Sequence, residues 1–127
     1  MERMCPCGSE LPYAQCCGRF HSGAASAPTA EALMRSRFSA YARRDEAYLR
    51  RTWHPTTRPK RIEFEPGLRW TRLDVRFHTG GSLFDSEGTV MFEAYYADRG
   101  RAGSLRENSR FVRENGEWLY VGPVKSP

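Results

Sequence analysis

Apolar and polar side chains alternate at every position of RLDVRFH, residues 72–78 of this 127-residue chain. The apolar series is Leu73, Val75 and Phe77, and the other series is charged or carries an imidazole. A period of two is typical of a strand with one buried and one solvated face. Since a Gly-Gly pair ends the run shortly afterwards, we predict a half-buried β-strand that starts near Leu68.

Further strands are predicted towards the C-terminus from the same alternation and from turn residues. Apolar side chains at positions 90, 92, 94 and 96 mark the second strand, and residues 105–113 form the third. The Asn-Gly pair at 115–116 is typical of a two-residue hairpin, and it leads into a fourth strand at 118–121.

Two helices are predicted upstream of the strands. The first covers residues 29–43, with Thr29 as its N-cap. The second covers residues 46–53, has Asp45 as its N-cap and ends because Pro55 disfavours helix at the preceding residue. Helices that precede strands in this way predict an α+β domain, in which the helices cover one face of a curved antiparallel sheet.

All four cysteines lie near the N-terminus, as the pairs Cys5/Cys7 and Cys16/Cys17. Four sulfur donors in one short loop are the complement of a structural tetrahedral zinc site, so we predict one structural Zn²⁺ per chain. Four thiolates leave the ion no open position for catalysis. Disulfides or redox chemistry are the alternative, although an adjacent Cys16-Cys17 bridge would be strained. His21 is a further ligand candidate, but with four thiolates present we expect it on the surface.

These patterns divide the chain into a zinc knuckle at residues 1–22, a linker of small residues at 23–28, and the α+β domain at 29–127. The chain has no apolar run of membrane-spanning length and no signal-peptide segment, which predicts a cytoplasmic protein without a membrane partner.

The formal net charge is +5, and the basic residues are concentrated in one segment. Residues 35–61 hold nine Arg or Lys against two acidic residues. Such a segment can bind the phosphates of a nucleic acid. The interpretation that we favour is a solvated face whose long arginine stems cover apolar surface.

The N-terminal segment resembles a known zinc motif. Its sequence, Cys5-Pro6-Cys7-Gly8-Ser9, Tyr13 and Cys16-Cys17-Gly18, is similar to the SEC-C motif, named for its place at the C-terminus of the SecA translocation motor. By this resemblance the zinc ligands are Cys5, Cys7, Cys16 and Cys17. The resemblance also implies that the knuckle docks onto a partner, for which a protein is expected and a nucleic acid is the alternative.

The resemblance extends over almost the whole chain. The segments LMRSRF at 33–38, TWHP at 52–55, NSRF at 108–111 and GEWLY at 116–120 are similar to the YchJ family of uncharacterised bacterial proteins. Membership implies SEC-C segments joined to a domain that resembles nuclear transport factor two. That domain is a cone of two or three helices packed on a strongly curved antiparallel sheet. By analogy, such cones also form homodimers through the open sheet face.

The resemblance implies a binding or adaptor module. In it the zinc knuckle recruits a protein or nucleic acid, and the cone-shaped domain binds a ligand or partner. The alternative is a small-molecule enzyme of isomerase, dehydratase or hydrolase type that uses a pocket between the helices and the concave sheet face. Fold alone does not choose between the two.

Isolated polar and aromatic side chains are the candidates for lining such a pocket. They are Trp53, His54, Trp70, Asp74, Glu93, Tyr95, Glu107 and Arg110. In an enzyme, His54 or a buried carboxylate such as Asp74 would be the general base.

Two further expectations concern charged residues of the predicted helix and sheet. Strand parity places Glu107 and Arg110 on opposite faces of the sheet unless a bulge intervenes. Arg35 and Arg37 are expected to form ion pairs with Glu93 or Glu107 on the sheet.

Overall fold

Helices precede strands along the chain, as the sequence predicts. The computed structural model describes residues 3–124. The helices are α1 (Cys17–His21), α2 (Ala30–Arg43) and α3 (Glu46–Arg51), and a 3₁₀ turn spans Tyr13–Gln15. The strands are β1 (Leu68–Gly80), β2 (Glu87–Asp98), β3 (Arg101–Glu114) and β4 (Glu117–Pro123). Within residues 3–124, none of the helices has the length and hydropathy that a membrane span requires.

Both predicted N-caps are confirmed. Thr29 Oγ1 accepts a hydrogen bond from the Ala32 amide at 3.0 Å, which satisfies one of the free N–H groups at the start of α2. Asp45 Oδ1 accepts from the Tyr48 amide at 3.1 Å and does the same for α3. Helix α3, which corresponds to the predicted helix at 46–53, ends at Arg51, two residues earlier than the sequence pattern predicts.

The four strands form an antiparallel sheet in the order β1-β2-β3-β4, so each strand pairs with its neighbour in sequence. Bulges interrupt the pairing of β1 with β2 at two places and that of β3 with β4 at one. Bulges bend the strands that contain them, so the sheet curves over α2 and the predicted α+β architecture is confirmed.

The prediction for Phe77 is wrong. Leu73 and Val75 pair with positions 94 and 92 of β2, but the bulge between Val75 and Phe77 then places Phe77 opposite Met91. Met91 is on the outer face, since its neighbour Phe92 lies in the core. One extra residue in β1 thus moves Phe77 to the outer face, where it is 51% exposed.

The core lies between α2 and the concave face of the sheet. Leu33 and Phe38 of α2 pack with Val90, Phe92 and Phe111 of the sheet. The C-terminal strand closes this core, because Trp118 is buried in it and donates its indole N–H to Pro28 O at 3.2 Å.

The N-terminal segment packs on helices α2 and α3 of the domain. Phe20 of α1 is buried in a second apolar cluster with Ala40, Tyr48 and Leu49. Arg51 of α3 adds a hydrogen bond from Nη2 to Phe20 O at 3.1 Å. The predicted boundaries at 22 and 28 fall just after α1 and just before the cap of α2.

Candidate metal centre and cavity

The four cysteine thiols converge at one place. Their Sγ atoms all lie within 4.8 Å of one another, with 3.6 Å between Cys7 and Cys16 and 4.0 Å between Cys16 and Cys17. In a tetrahedral site with Zn–S bonds of about 2.3 Å, neighbouring sulfurs are about 3.8 Å apart. All four thiols are free, so the cluster has the donors and the spacing of a four-thiolate metal site.

Local backbone features bring the two cysteine pairs together. The Cys5 amide donates to Leu11 O at 2.8 Å, which folds the first pair back over the loop. Gly18 follows the second pair, and a Cβ at this position would lie 2.7 Å from Tyr13 O, so only glycine fits. Ser9 Oγ donates to Cys16 Sγ at 3.1 Å and orients this sulfur.

The thiols interact strongly because they are close together and shielded from water. Cys5, Cys7 and Cys17 are each at most 4% exposed. Hydrogen bonds from the Cys17 and Cys7 thiols lower the pKa of Cys5, and the contact with Cys5 raises the pKa of Cys17. A cation at the centre of such a cluster would stabilise the thiolate forms.

Two contacts fix the cluster to helix α2. Cys5 Sγ lies 3.4 Å from Ser39 Oγ, and Arg35 donates from Nη1 to Cys7 O at 3.2 Å. The cysteine cluster is thus packed against the same helix that covers the sheet.

His21 is half-buried, whereas the sequence predicts a surface side chain. Its Nε2 lies 2.8 Å from Ser36 O, a pure acceptor, so Nε2 carries the proton. Nδ1 then accepts from the Tyr13 hydroxyl at 2.5 Å. Burial lowers the pKa of His21, which favours this neutral form. His21 therefore connects the knuckle to α2, and its ring lies outside the cysteine cluster.

A cavity of about 200 Å³ lies between α2 and the concave face of the sheet. Aromatic and aliphatic side chains form most of its wall, together with one cation, one carboxylate and three hydroxyls. The lining residues are Met34, Arg37, Phe38, Tyr41, Trp70, Phe92, Ala94, Leu105, Glu107, Ser109 and Tyr120.

Two of the eight sequence candidates, Trp70 and Glu107, line this cavity. Trp53 lies behind the wall, with its ring 5.1 Å from that of Tyr120. His54 lies outside, where its Nε2 is 2.9 Å from Glu114 Oε2. His54 therefore does not line the cavity.

The remaining four candidates lie on the other face of the sheet. Asp74 pairs with Glu93 and Arg110 pairs with Thr89, in register positions that alternate with the core residues of β2. Tyr95 follows the same parity as Glu93. Glu107 and Arg110 are thus on opposite faces, since β3 pairs with β2 without interruption from Arg101 to Val112.

Glu93 has a structural role on that outer face. Its carboxylate accepts from Ser104 Oγ at 2.7 Å and from Arg76 Nη2 at 2.6 Å, and Arg106 Nε lies 3.2 Å away. The Ser104 hydroxyl and the Arg76 guanidinium lower the pKa of Glu93 to about 2. Glu93 therefore connects polar side chains of three strands, β1, β2 and β3, and it does not line the cavity between α2 and the sheet.

Arg37, Tyr41, Ser109 and Tyr120 line the cavity and were missed from the sequence. A signal for Arg37 was available: it is the one charged residue on the apolar stripe of the predicted helix, between Met34 and Tyr41. The expected ion pairs are wrong. Arg35 pairs with Glu31 at 3.0 Å. Within residues 3–124 Arg37 pairs with no carboxylate.

The fold and the cysteine cluster together define a SEC-C motif joined to an α+β cone. A family model described as "YchJ, middle NTF2-like domain" matches residues 29–123, and the SEC-C motif model matches residues 4–19. The chain belongs to the YchJ family, as its resemblance predicts. A UPF0225 protein from Streptomyces avermitilis is 59% identical over 117 residues, which are 92% of this chain and 81% of that one.

Two solved structures share the whole architecture. A SEC-C motif containing protein from Rhodopseudomonas palustris is 30% identical, with a TM-score of 0.83 over 98% of this chain and 100% of that one. A second SEC-C motif containing protein, from Psychrobacter arcticus, is 27% identical, with a TM-score of 0.78 over 98% of this chain and 84% of that one.

Proposed function

We propose that the protein is a zinc-binding adaptor. Cys5, Cys7, Cys16 and Cys17 hold one structural Zn²⁺, the knuckle around it recruits a partner, and the cone-shaped domain binds a ligand. The observation that carries the proposal is the convergence of four sulfur atoms within 4.8 Å.

Zinc fits this donor set best. Tetrahedral sites with four thiolates hold zinc or an iron of an iron–sulfur centre, and zinc is the ion of short structural knuckles. The ion would neutralise the buried thiolates and crosslink the two cysteine pairs. Hydrogen bonds from Ser9 and Ser39 support the sulfurs from outside, as is typical of a structural site.

The outer surface of the knuckle favours a protein partner. Met4 is 58% exposed and Leu11 is 47% exposed, and a bridge between Met4 and Pro12 holds these side chains on one rigid loop. Two arginines beside the knuckle are engaged in stacking: the guanidinium carbon of Arg43 lies 3.9 Å from the ring centre of Tyr13, and that of Arg51 lies 4.9 Å from the ring centre of Tyr48. This supports recruitment through apolar contact rather than through phosphates.

Metal content per chain tests the centre. We would measure it by elemental mass spectrometry on protein purified without added metal, with a thiol titration before and after chelation. One zinc per chain and four thiols released by the chelator are expected. Titratable or disulfide-linked thiols without metal would overturn the proposal and favour redox chemistry.

Recruitment is tested by cross-linking in cells with Leu11→Glu. The protein that cross-links to the wild-type knuckle should be lost in this variant. Leu83→Glu is the matched control, because Leu83 is 54% exposed and lies in the loop between β1 and β2. Equal loss in both variants would contradict a docking role for the knuckle.

A small-molecule enzyme is the second candidate, and one observation favours it. Arg37, Glu107 and Tyr120 converge on a mostly apolar cavity, which is the arrangement of a substrate pocket. In such an enzyme Glu107 would be the general base, since His54 and Asp74 lie outside the cavity.

A further inference from the structure

The side chain of Arg37 is a buried cation without an anionic partner. It is 3% exposed, and within residues 3–124 no carboxylate oxygen lies within ion-pair distance of its guanidinium. Its guanidinium carbon lies 4.8 Å from the ring centre of Trp53 and 4.5 Å from that of Tyr120. The two rings compensate part of the desolvation of the guanidinium.

Only part of the Arg37 hydrogen-bonding capacity is used. Nη1 donates to Leu49 O and to Thr52 Oγ1, both at 2.8 Å. A further side-chain hydrogen bond joins the guanidinium to the Tyr41 hydroxyl, so two of the five N–H donors remain. Because Arg37 lines the cavity, these donors are available to a bound molecule.

Glu107 offers the complementary group on the sheet side of the same cavity. Its Oε2 accepts from the hydroxyls of Ser109 at 2.5 Å and Tyr120 at 2.7 Å. Oε1 accepts from no residue within 3–124. One free acceptor and two free donors therefore line one cavity, and the negative charge of Glu107 balances the positive charge of Arg37 although the two side chains form no ion pair.

The size and wall of the cavity limit the molecule that fits. A volume of about 200 Å³ is slightly larger than a cavity of about 150 Å³ that accommodates benzene, so there is space for one ring with a small substituent. Phe38, Trp70 and Phe92 present aromatic surface to such a ring. Leu105, which is 46% exposed, lies at the mouth.

We propose that this cavity binds a small uncharged aromatic amide. Its carbonyl oxygen accepts from Arg37 and its N–H group donates to Glu107 Oε1, while its ring lies among the aromatic side chains. The proposal rests on the ligand binding by the cone-shaped domain proposed above, and it is independent of the metal centre.

Charge selects the amide over its ionised analogues. A carboxylate would pair with Arg37 but would bring a second negative charge beside Glu107 in a site shielded from water. An ammonium group would face Arg37 in the same unfavourable way. A molecule without polar atoms would leave the free donors and acceptor desolvated and unpaired, which is also costly.

The test compares benzamide, benzoate and toluene, which share one ring and differ in charge and polarity. Each is titrated into the ¹⁵N-labelled full-length protein, and the Trp70 indole and Ser109 amide signals are followed by NMR. Benzamide is expected to bind about tenfold more tightly than benzoate or toluene. In Glu107→Gln the preference for benzamide over benzoate should fall to about twofold or less, while Glu63→Gln, an exposed control, keeps it.

A second variant shows that the signals come from the cavity. Leu105→Trp places a large ring at the mouth and should abolish binding of all three probes without a change in Tm. Equal affinity for all three probes in the wild type would overturn the amide class and leave ligand binding by the cone intact. No shift with any probe would overturn both, with the metal measurement unaffected.

Discussion

Tyr120 donates a hydrogen bond from its hydroxyl to Glu107 Oε2 across 2.7 Å, from the last strand to the middle of β3. Burial and the bond to Glu107 both raise the pKa of Tyr120, so its hydroxyl stays protonated and remains a donor. Its ring is also one of the two on which Arg37 lies. A single tyrosine thus orients both charged groups of the cavity.

Tyr120→Phe should destabilise the fold by about 1–2 kcal/mol, because a partly buried carboxylate loses a charged hydrogen bond while the ring remains. The measurement is the free energy of unfolding in urea. Tyr96→Phe is the matched control: the Tyr96 ring packs against a tryptophan as that of Tyr120 does, with its centre 5.4 Å from that of Trp70, and its hydroxyl bonds to none of the described residues. Equal losses in the two variants would contradict a specific role for the Tyr120 hydroxyl.

Removal of the metal should lower Tm by about 5–10 °C, because the knuckle is held on α2 through Cys5 and through Arg35. Differential scanning calorimetry with and without chelator measures the change. A variant with serine at all four cysteine positions should show the same Tm in both conditions. A wild-type Tm that is the same with and without chelator would show that the metal does not stabilise the fold.

Stability should fall with decreasing pH in a window set by Glu93. Its folded-state pKa is about 2, below the ordinary value of 4.5. Above pH 4.5 the carboxylate is ionised in both states and its stabilising contribution is complete. Between pH 4.5 and 2 the unfolded state binds the proton first, so the contribution is lost.

Glu93→Gln isolates this effect. The free energy of unfolding in urea should decrease less from pH 6 to pH 3 for the variant than for the wild type, because the variant has no carboxylate at position 93. Proton binding at the cysteines is common to both proteins and does not affect the comparison. Glu63→Gln, whose side chain is 83% exposed, should retain the wild-type decrease. If Glu93→Gln shows the same pH dependence as the wild type, the loss of stability at low pH is caused by other titratable groups.

Gly88→Ala should cost about 3 kcal/mol, because its Cβ would lie 2.6 Å from the backbone of Gly81 in the facing strand end. Backbone atoms held by the hairpin cannot move aside. Gly100→Ala, where a Cβ meets nothing within 4 Å but φ is +85°, should cost about 1 kcal/mol through backbone strain alone. Calorimetric unfolding of both variants tests the order, and the reverse order would contradict it.

Features that depend on neighbours in sequence were predictable. The caps Thr29 and Asp45 act within one helical turn, and the cysteines converge over a short loop, so both follow from local spacing. The bulge before Phe77 was not predictable, because it depends on the register with β2 and not on the residues of β1 alone. A strict alternation in the sequence cannot reveal an inserted residue in the pairing.

The cavity was only partly predictable for a related reason. Trp70 and Glu107 stand out as isolated large or charged residues in strands. Arg37 and Tyr120 line the same cavity because β4 meets α2 in the folded chain, and no sequence pattern links residues so far apart. The alternation of side chains along β3 could place Arg110 and Glu107 on opposite faces of the sheet. It could not show which of the two faces the helices cover.

The contact between Trp118 and Pro28 joins residues that are 90 positions apart. During synthesis the N-terminal cysteines leave the ribosome long before this partner exists. The cone gains its last wall only when β4 emerges with Trp118 and Tyr120. A chain that stalls before β4 would therefore carry all four cysteines and an open core, and exposed core residues of this kind are prone to aggregation.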